Sequence, residues 1–253
     1  MRACPHPTGA NNMKYILIAA LFICFASGAY SQPVFAHKEI KKDSKKPKWE
    51  LSLSYPQIVN PFDEGEKGFN ETVRQHFYAE RDTFMVWMKD WEVVKGNEEM
   101  GSYYEAGDTV MYSSTSFISV HVYCDSYFSG AAHPNNWSFT INYDLVKNKE
   151  VTISDLYTGD YLKVLSDYCI KEIKKQQFEM DSTMTSDDEW LNTGAGPDAK
   201  NFAVFNPTNE GLLITFITYQ VASYAQGPAE VLVPYSVLKD YVRKGSVMEK
   251  IIK

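Results

Sequence analysis

Residues 116–128, with the sequence SFISVHVYCDSYF, show the clearest alternation in this chain of 253 residues. Four apolar residues fall on one side of an extended chain: Ile118, Val120, Val122 and Cys124. Four others alternate with them: Ser119, His121, Tyr123 and Asp125. A period of two residues predicts a strand with one buried face, and the second set predicts a polar outer face of an antiparallel sheet.

Other strands and two main helices surround this segment. Strands are predicted at residues 49–54, 102–113, 137–145, 151–153, 202–206, 211–219 and 229–233. Helices are predicted at residues 66–91, 158–178 and, shorter, 236–242, and residues 181–200 are predicted to form an acidic loop. Because the helices do not alternate regularly with the strands, the predicted fold class is α+β, with a largely antiparallel sheet packed against two main helices.

The N-terminus has the layout of a secretory signal peptide. Lys14 precedes an apolar run at residues 15–26, and small residues follow up to Ser31. We therefore predict a signal peptide at residues 1–31, or one that begins at Met13, and a secreted or periplasmic protein. An uncleaved anchor and a lipid-modified Cys24 are the alternatives.

The rest of the chain divides into a linker, a domain and a tail. Residues 32–48 are predicted to be a flexible basic linker, or alternatively an electrostatic tether to the cell envelope. Its lysines are Lys38, Lys41, Lys42, Lys45, Lys46 and Lys48. Residues 49–243 form the predicted domain, and residues 244–253 form a tail.

The charge of the chain restricts its partners. The formal net charge is −7, and loss of residues 1–31, which contain Arg2 and Lys14 but no acid, would make it −9. An acidic body argues against binding of nucleic acid or of anionic membrane surfaces. Contact with a membrane is therefore expected only through the signal peptide or an anchor.

Two cysteines, Cys124 and Cys169, lie in the predicted domain, and both fall on predicted buried faces. An even pair in an exported protein favours a disulfide. The alternative is two buried thiols that pack as small apolar residues.

No motif for a well-known catalytic centre is present. The sequence lacks a Gly-x-Ser-x-Gly elbow, a Gly-rich phosphate loop and a His-Glu-x-x-His pair. His121, Asp125, His133 and Asp144 could meet on one sheet face, which would suit a metal site, but a polar outer face is the simpler interpretation. We predict no cofactor and no metal.

The loop that follows the strand is the candidate binding site, at Gly130, Ala131, Ala132, His133, Pro134 and Asn135. Three small residues let the backbone or a partner approach closely, and Pro134 holds His133 in an extended conformation. The loop is either an exposed recognition site or a tight connection that needs these shapes.

Several short motifs together resemble a known family. They are Tyr55-Pro56-Gln57-Ile58, Gly130 to Pro134, Asn142-Tyr143-Asp144-Leu145, Ile153-Ser154-Asp155-Leu156-Tyr157, residues 218–227 and Val233-Pro234-Tyr235. They resemble the uncharacterised extracellular domain shared by the lysozyme-sensing anti-sigma factor RsiV and the peptidoglycan deacetylase PdaC. The resemblance covers residues 49–242. Where the family usually has two glycines in the loop, this chain has Gly130-Ala131.

The resemblance implies an exported α+β domain near the cell wall. It concerns the non-catalytic part of PdaC, so it implies neither deacetylation nor binding of a sigma factor. The expected function is binding or sensing without catalysis, with lysozyme, another basic protein or peptidoglycan as the ligand. The alternative is a small metal-dependent hydrolase that uses His121, His133 and Asp144.

Overall fold

The computed structural model describes residues 32–90, 100–180 and 188–252, and the predicted signal peptide lies outside them. The strands are β1 Phe35–Lys45, β2 Lys48–Ile58, β3 Ser102–Ser113, β4 Phe117–Tyr127, β5 Asn135–Asp144, β6 Lys149–Glu150, β7 Phe205–Pro207, β8 Gly211–Phe216 and β9 Ala229–Pro234. The α-helices are α1 Glu64–Asp90, α2 Ile153–Leu156, α3 Tyr161–Met180, α4 Asp188–Gly194, α5 Tyr235–Leu238 and α6 Met248–Ile251.

Two sheets organise the strands. The large sheet has the order β1-β2-β3-β4-β5-β6, and the small sheet has the order β7-β8-β9. All pairs are antiparallel except β2 and β3, which are parallel and are connected through α1. The predicted α+β class with a largely antiparallel sheet is confirmed, because the long helices α1 and α3 pack against these sheets.

The first core lies between α1 and the large sheet. The apolar stripe of α1 is buried at Phe69, Val73, Phe77, Phe84 and Met88. It packs against the apolar face of β4, which carries Ile118, Val120, Val122 and Cys124, and against β2. A spacing of four or seven residues places these side chains on one helical face, which is why α1 can cover a strand pattern of period two.

The second core lies between α3 and the small sheet. Leu165, Cys169 and Ile173 of α3 are buried in the same cluster as Ile214 of β8 and Val231 of β9. The second long helix therefore covers a different sheet from the first. This division into two cores determines whether the two cysteines can approach each other.

Cys124 and Cys169 are free and buried, one in each core. The two predicted buried faces are therefore real, but they do not face each other, and a disulfide is not formed. Burial raises the pKa of each thiol to about 12, so both remain protonated at neutral pH. They pack as small apolar groups, which was the alternative to the disulfide.

The prediction of a polar outer face on β4 is wrong for half of the strand. Ser119 and His121 are fully buried, because β7 crosses above them. Asn206 of β7 donates from Nδ2 to the Ser119 Oγ at 2.8 Å, and its Oδ1 lies 2.8 Å from the His121 Nδ1. Since an amide oxygen accepts, the His121 Nδ1–H donates. We call these three residues the seam.

The predicted flexible linker is an edge strand. Phe35 to Lys45 of β1 pair antiparallel with β2 along their whole length. Only Phe35, Ile40 and Ser44 of this strand are partly buried, so its sequence lacks strict alternation. Exposed lysines are typical of edge strands, where they discourage pairing with other chains. The basic composition therefore reflects an edge position.

The predicted tail and the predicted acidic loop also contain structure. Met248 of α6 is fully buried and belongs to the second core, so the fold continues beyond residue 243. Helix α4 lies inside the predicted loop at residues 181–200, where Leu191 and Ala195 are buried against the same core. Both segments are short, and a helix of one or two turns leaves too weak a periodicity to predict.

Candidate binding surface

Two loops that the sequence keeps far apart meet on one side of the molecule. The His133 loop comprises residues 129–135, and the Gln220 loop comprises residues 217–228. The Tyr224 hydroxyl donates to the Pro134 carbonyl oxygen at 2.9 Å, and the His133 and Tyr224 ring centroids are 4.0 Å apart. The candidate loop from the sequence is thus packed against the later Tyr- and Gln-containing motif.

Hydrogen bonds fix the ring of His133. Its Nδ1 lies 2.7 Å from the Pro134 carbonyl oxygen, which can only accept, so Nδ1–H donates. Its Nε2 lies 3.4 Å from the Tyr219 hydroxyl. Tyr219 and His133 are both exposed, so these contacts orient the His133 ring while part of it stays open to solvent.

Gln220 holds its own loop in shape. Its Nε2 donates to the carbonyl oxygens of Gly194 and Asn201, each at 2.9 Å, and its Oε1 accepts from the Ile217 N–H at 3.1 Å. Gly194 is needed there, since a Cβ on it would lie 1.8 Å from the Gln220 carbonyl oxygen. The loop is therefore tied to the end of α4 by close backbone contact.

Tyr219 has an unusual backbone conformation. Its φ of 69° lies in the left-handed region, which is uncommon for an aromatic residue. The Trp190 Nε1 donates to the Tyr219 carbonyl oxygen at 3.0 Å and supports this conformation. Strained backbone of this kind persists only where its surroundings hold it, and it is concentrated at functional sites.

The His133 loop needs one glycine rather than two. Gly130 has a φ of 92°, whereas Ala131 does not have a positive φ. The Ser129 N–H donates to the Ser102 Oγ at 3.0 Å, and the Ala131 N–H donates to the Phe128 carbonyl oxygen at 2.8 Å. Alanine therefore fits at position 131 without backbone strain.

A groove of about 490 Å³ lies beside the two loops. One wall is formed by Ile217, Thr218 and Pro228 of the Gln220 loop, and the floor is formed by β2, β3, β4 and β5 of the large sheet. Two carboxylates, Glu105 of β3 and Asp125 of β4, line it as direct cross-strand partners. The Tyr103 hydroxyl donates to the Asp125 Oδ2 at 3.2 Å.

The residues that could have formed a metal site are dispersed. His121 is in the seam, Asp125 in the groove and His133 in the exposed loop. The Asp144 Oδ1 accepts from the N–H groups of Val146 and Lys147 and so closes a turn at the opposite end of β5. In the described parts of the chain, no group of three or more His, Cys, Asp or Glu side chains could hold a metal ion.

Two of the motifs that carry the sequence resemblance have structural roles. Asn142 donates to the Phe205 carbonyl oxygen at 2.8 Å and so helps to fasten β7 to the large sheet. The Thr152 N–H donates to the Asp155 carboxylate at 2.9 Å in a capping box at the start of α2, and this bonding lowers the pKa of Asp155. The motifs that contain Asn142 and Asp155 therefore stabilise the fold.

Four residues near the site were not predicted from the sequence: Tyr103, Trp190, Tyr219 and Tyr224. Tyr219 and Tyr224 lie inside the motif at residues 218–227. Their presence there together with Gly227 was the sequence feature that could have indicated a binding loop. Tyr103 and Trp190 gave no signal, because their positions near the surface depend on sheet register and on α4.

A comparison with family models finds a match in the C-terminal half of the chain. Residues 154–236 match a family described as "Protein of unknown function (DUF3298)". The matched range contains the whole Gln220 loop, and the His133 loop precedes it.

A curated relative supports the resemblance noted from the sequence. The peptidoglycan-N-acetylmuramic acid deacetylase PdaC of Bacillus subtilis (strain 168) is 31% identical over 119 residues, which are 46% of this chain. The match covers 24% of PdaC, so this chain spans about a quarter of that relative's length. The resemblance to PdaC is confirmed, and the resemblance to RsiV stays a prediction.

Two crystal structures share the fold. A member of the DUF3298 family from Bacteroides fragilis NCTC 9343 has a TM-score of 0.57 and 16% identity, and the match covers 87% of this chain and 98% of that one. A DUF3298 family protein from Pseudomonas aeruginosa PAO1 has a TM-score of 0.51 and 14% identity, with 83% and 95% covered. At these identities the likeness concerns the fold.

Proposed function

We propose that this chain is an exported, non-enzymatic binding domain of the bacterial cell envelope, with a basic protein such as lysozyme as its ligand. The observation that carries the proposal is the meeting of the His133 loop and the Gln220 loop in one exposed aromatic surface. Residues from two sequence motifs, separated by about ninety positions, contribute to the same surface.

The chemistry of this surface suits recognition. Tyrosine supplies a large, amphipathic contact area at low conformational cost, and it is enriched among the residues that dominate binding energy. Tyr219, Tyr224 and His133 are already held by hydrogen bonds and ring contacts. Because a preorganised surface loses little freedom on binding, such contacts favour affinity.

Two observations support export. The first 31 residues have the layout of a signal peptide. The curated relative is named for an activity on peptidoglycan, a polymer of the bacterial cell wall. Among the residues that the structure describes, none of the helices is both long enough and apolar enough to cross a membrane.

The charge of the chain favours a basic protein over a neutral glycan. With a formal charge of −7, the chain attracts cationic partners at long range, and this attraction weakens as salt screens it. Lysozymes are often basic, so steering toward them is favourable. A cell-wall glycan is the second ligand class that the binding test must include.

The test is retention of the purified protein on immobilised lysozyme and on purified peptidoglycan, at low and at high salt. We expect retention on lysozyme at low salt and about tenfold weaker binding after His133→Ala or Tyr219→Ala. Both substitutions also remove ring contacts, so thermal unfolding of each variant verifies that it is folded. Phe62→Ala, which removes an exposed aromatic ring in the segment between β2 and α1, is the control.

Each outcome decides between named possibilities. Absence of retention on lysozyme at low salt would overturn the proposed ligand, and retention on peptidoglycan alone would replace it with a glycan. Equal retention of wild type and both loop variants would show that the ligand binds elsewhere on the domain.

A further inference from the structure

The groove beside the aromatic surface carries a chemistry that the two loops do not provide. We propose that it receives a cationic side chain, an arginine or a lysine, of a protein partner. This inference rests on the proposed function and deepens it, because it names the group that the partner must present.

The first argument is the position of the two carboxylates. Glu105 and Asp125 are Cα partners on neighbouring strands, and both line the groove. Like charges directly opposite each other on one face destabilise a sheet. The described lining contains no basic side chain that would offset them. A cation that enters the groove would therefore remove a repulsion that the free protein retains.

The second argument is the local hydrogen bonding of Asp125. Its Oδ2 accepts from the Tyr103 hydroxyl at 3.2 Å, a single neutral donor at long range. Its Oδ1 is enclosed and has no hydrogen-bond partner among the described residues. The charge of this carboxylate is therefore only weakly compensated, and it interacts favourably with a positive charge placed nearby in the groove.

The third argument is the aromatic wall. Tyr123 lines the groove next to Asp125, and 48% of its surface is exposed. The face of a tyrosine ring attracts ammonium and guanidinium groups. Two carboxylates and a ring suit an organic cation better than a calcium ion, which takes six to eight oxygen ligands.

The fourth argument is that the floor leaves room. Gly107 lies on the floor opposite Tyr123, and a Cβ built on it would meet no atom within 4 Å. A larger side chain would therefore enter the groove without displacing the backbone. This gives a way to fill the site while leaving the fold in place, since glycine itself weakens a strand.

The experiment measures binding of two probes by titration calorimetry at low salt: lysozyme and a capped tetra-arginine peptide, with capped tetra-glutamate as the charge-reversed control. The variants are Gly107→Phe, Asp125→Asn and Glu105→Gln. Glu210→Gln, in the exposed turn between β7 and β8, removes the same charge outside the groove. Thermal unfolding of each variant verifies that it is folded.

We expect each groove variant to weaken binding of both probes by about tenfold or more, and Glu210→Gln to change it less than twofold. Arginine-peptide binding that depends on the groove would sustain this inference even if lysozyme does not bind. Lysozyme binding that survives all three groove variants but is lost in His133→Ala would overturn it and leave the proposed function standing. Failure of the wild type to bind the arginine peptide, or equal losses in Glu210→Gln and the groove variants, would also overturn it.

Discussion

Two histidines of this domain have closely similar contacts and opposite surroundings. His121 lies 4.3 Å from the ring of Tyr123 and donates from Nδ1 to an amide oxygen. His133 lies 4.0 Å from the ring of Tyr224 and donates from Nδ1 to a carbonyl oxygen. His121 is fully buried, whereas His133 is exposed.

The difference in burial gives the two histidine side chains different roles. In the seam, the ring satisfies a buried amide and joins the two sheets. At the surface, the same geometry orients a ring that a partner can touch. A residue type in a sequence motif therefore does not identify a site until the burial of the side chain is known.

The largest effect on stability should come from the seam. Asn206→Leu removes the partner of the His121 Nδ1–H and the donor to the Ser119 Oγ, which leaves two buried polar groups unpaired. We expect the free energy of unfolding to fall by about 2–4 kcal/mol in urea titrations. Asn209→Leu, in the adjacent exposed turn, is the matched control and should change it by less than about 0.5 kcal/mol. Equal effects of the two variants would mean that the seam is not held by its polar contacts.

The second largest effect should be a dependence of the free energy of unfolding on pH. Burial lowers the pKa of His121 in the folded protein below its ordinary value of 6.5. As the pH falls below 6.5, the unfolded state binds a proton that the folded state does not, so stability is lost toward acidic pH. His76 acts in the opposite sense, because its hydrogen bond with Glu150 raises its pKa.

Comparison of the wild type with His121→Gln separates the contribution of His121 to this pH dependence from that of His76. His121→Gln keeps a donor for Asn206 and removes the titration. We expect the unfolding midpoint of the wild type, relative to this variant, to be lower at pH 5.5 than at pH 7.5. Parallel midpoints at the two pH values would contradict a role for His121 in this dependence.

The smallest effect should come from the surface. Tyr224→Phe removes the hydroxyl that bonds the Pro134 carbonyl oxygen and keeps the ring against His133. We expect a loss of about 1 kcal/mol or less in unfolding free energy. Amide hydrogen exchange in residues 129–135 should accelerate in this variant. Tyr219→Phe should accelerate it less, because the Tyr219 hydroxyl that it removes makes a longer contact of 3.4 Å with His133. A loss as large as that of Asn206→Leu would remove the distinction between seam and surface.

Long periodic elements were predictable from the sequence, and short or edge elements were not. The stripe of α1 from Phe69 to Met88 and the alternation of β4 are set by local spacing, so they appear as predicted. β1 is partly buried at only a few positions, and α6 makes a single turn, so neither has a detectable period. Residues 153–156, at the end of a predicted strand, form α2 because a capping box outweighs β-propensity there.

The candidate site was predictable only in part. The His133 loop stands out because small residues and proline are visible in a sequence. Its contact with Tyr224 depends on how the small sheet lies on the large one, and that arrangement involves buried contacts of β7 such as those of Asn206 and Asn142. The pairing of Glu105 with Asp125 depends on strand register, which no local pattern in β3 and β4 reveals.

The position of β1 bears on how the large sheet avoids pairing with other chains. β2 carries the buried side chains of Leu51, Leu53 and Tyr55, and β1 hydrogen-bonds along its whole length. A protein trimmed to begin at Trp49 would expose this apolar strand as a long free edge, a template for intermolecular β-pairing and aggregation. The lysine-rich strand thus acts as a solubilising cover.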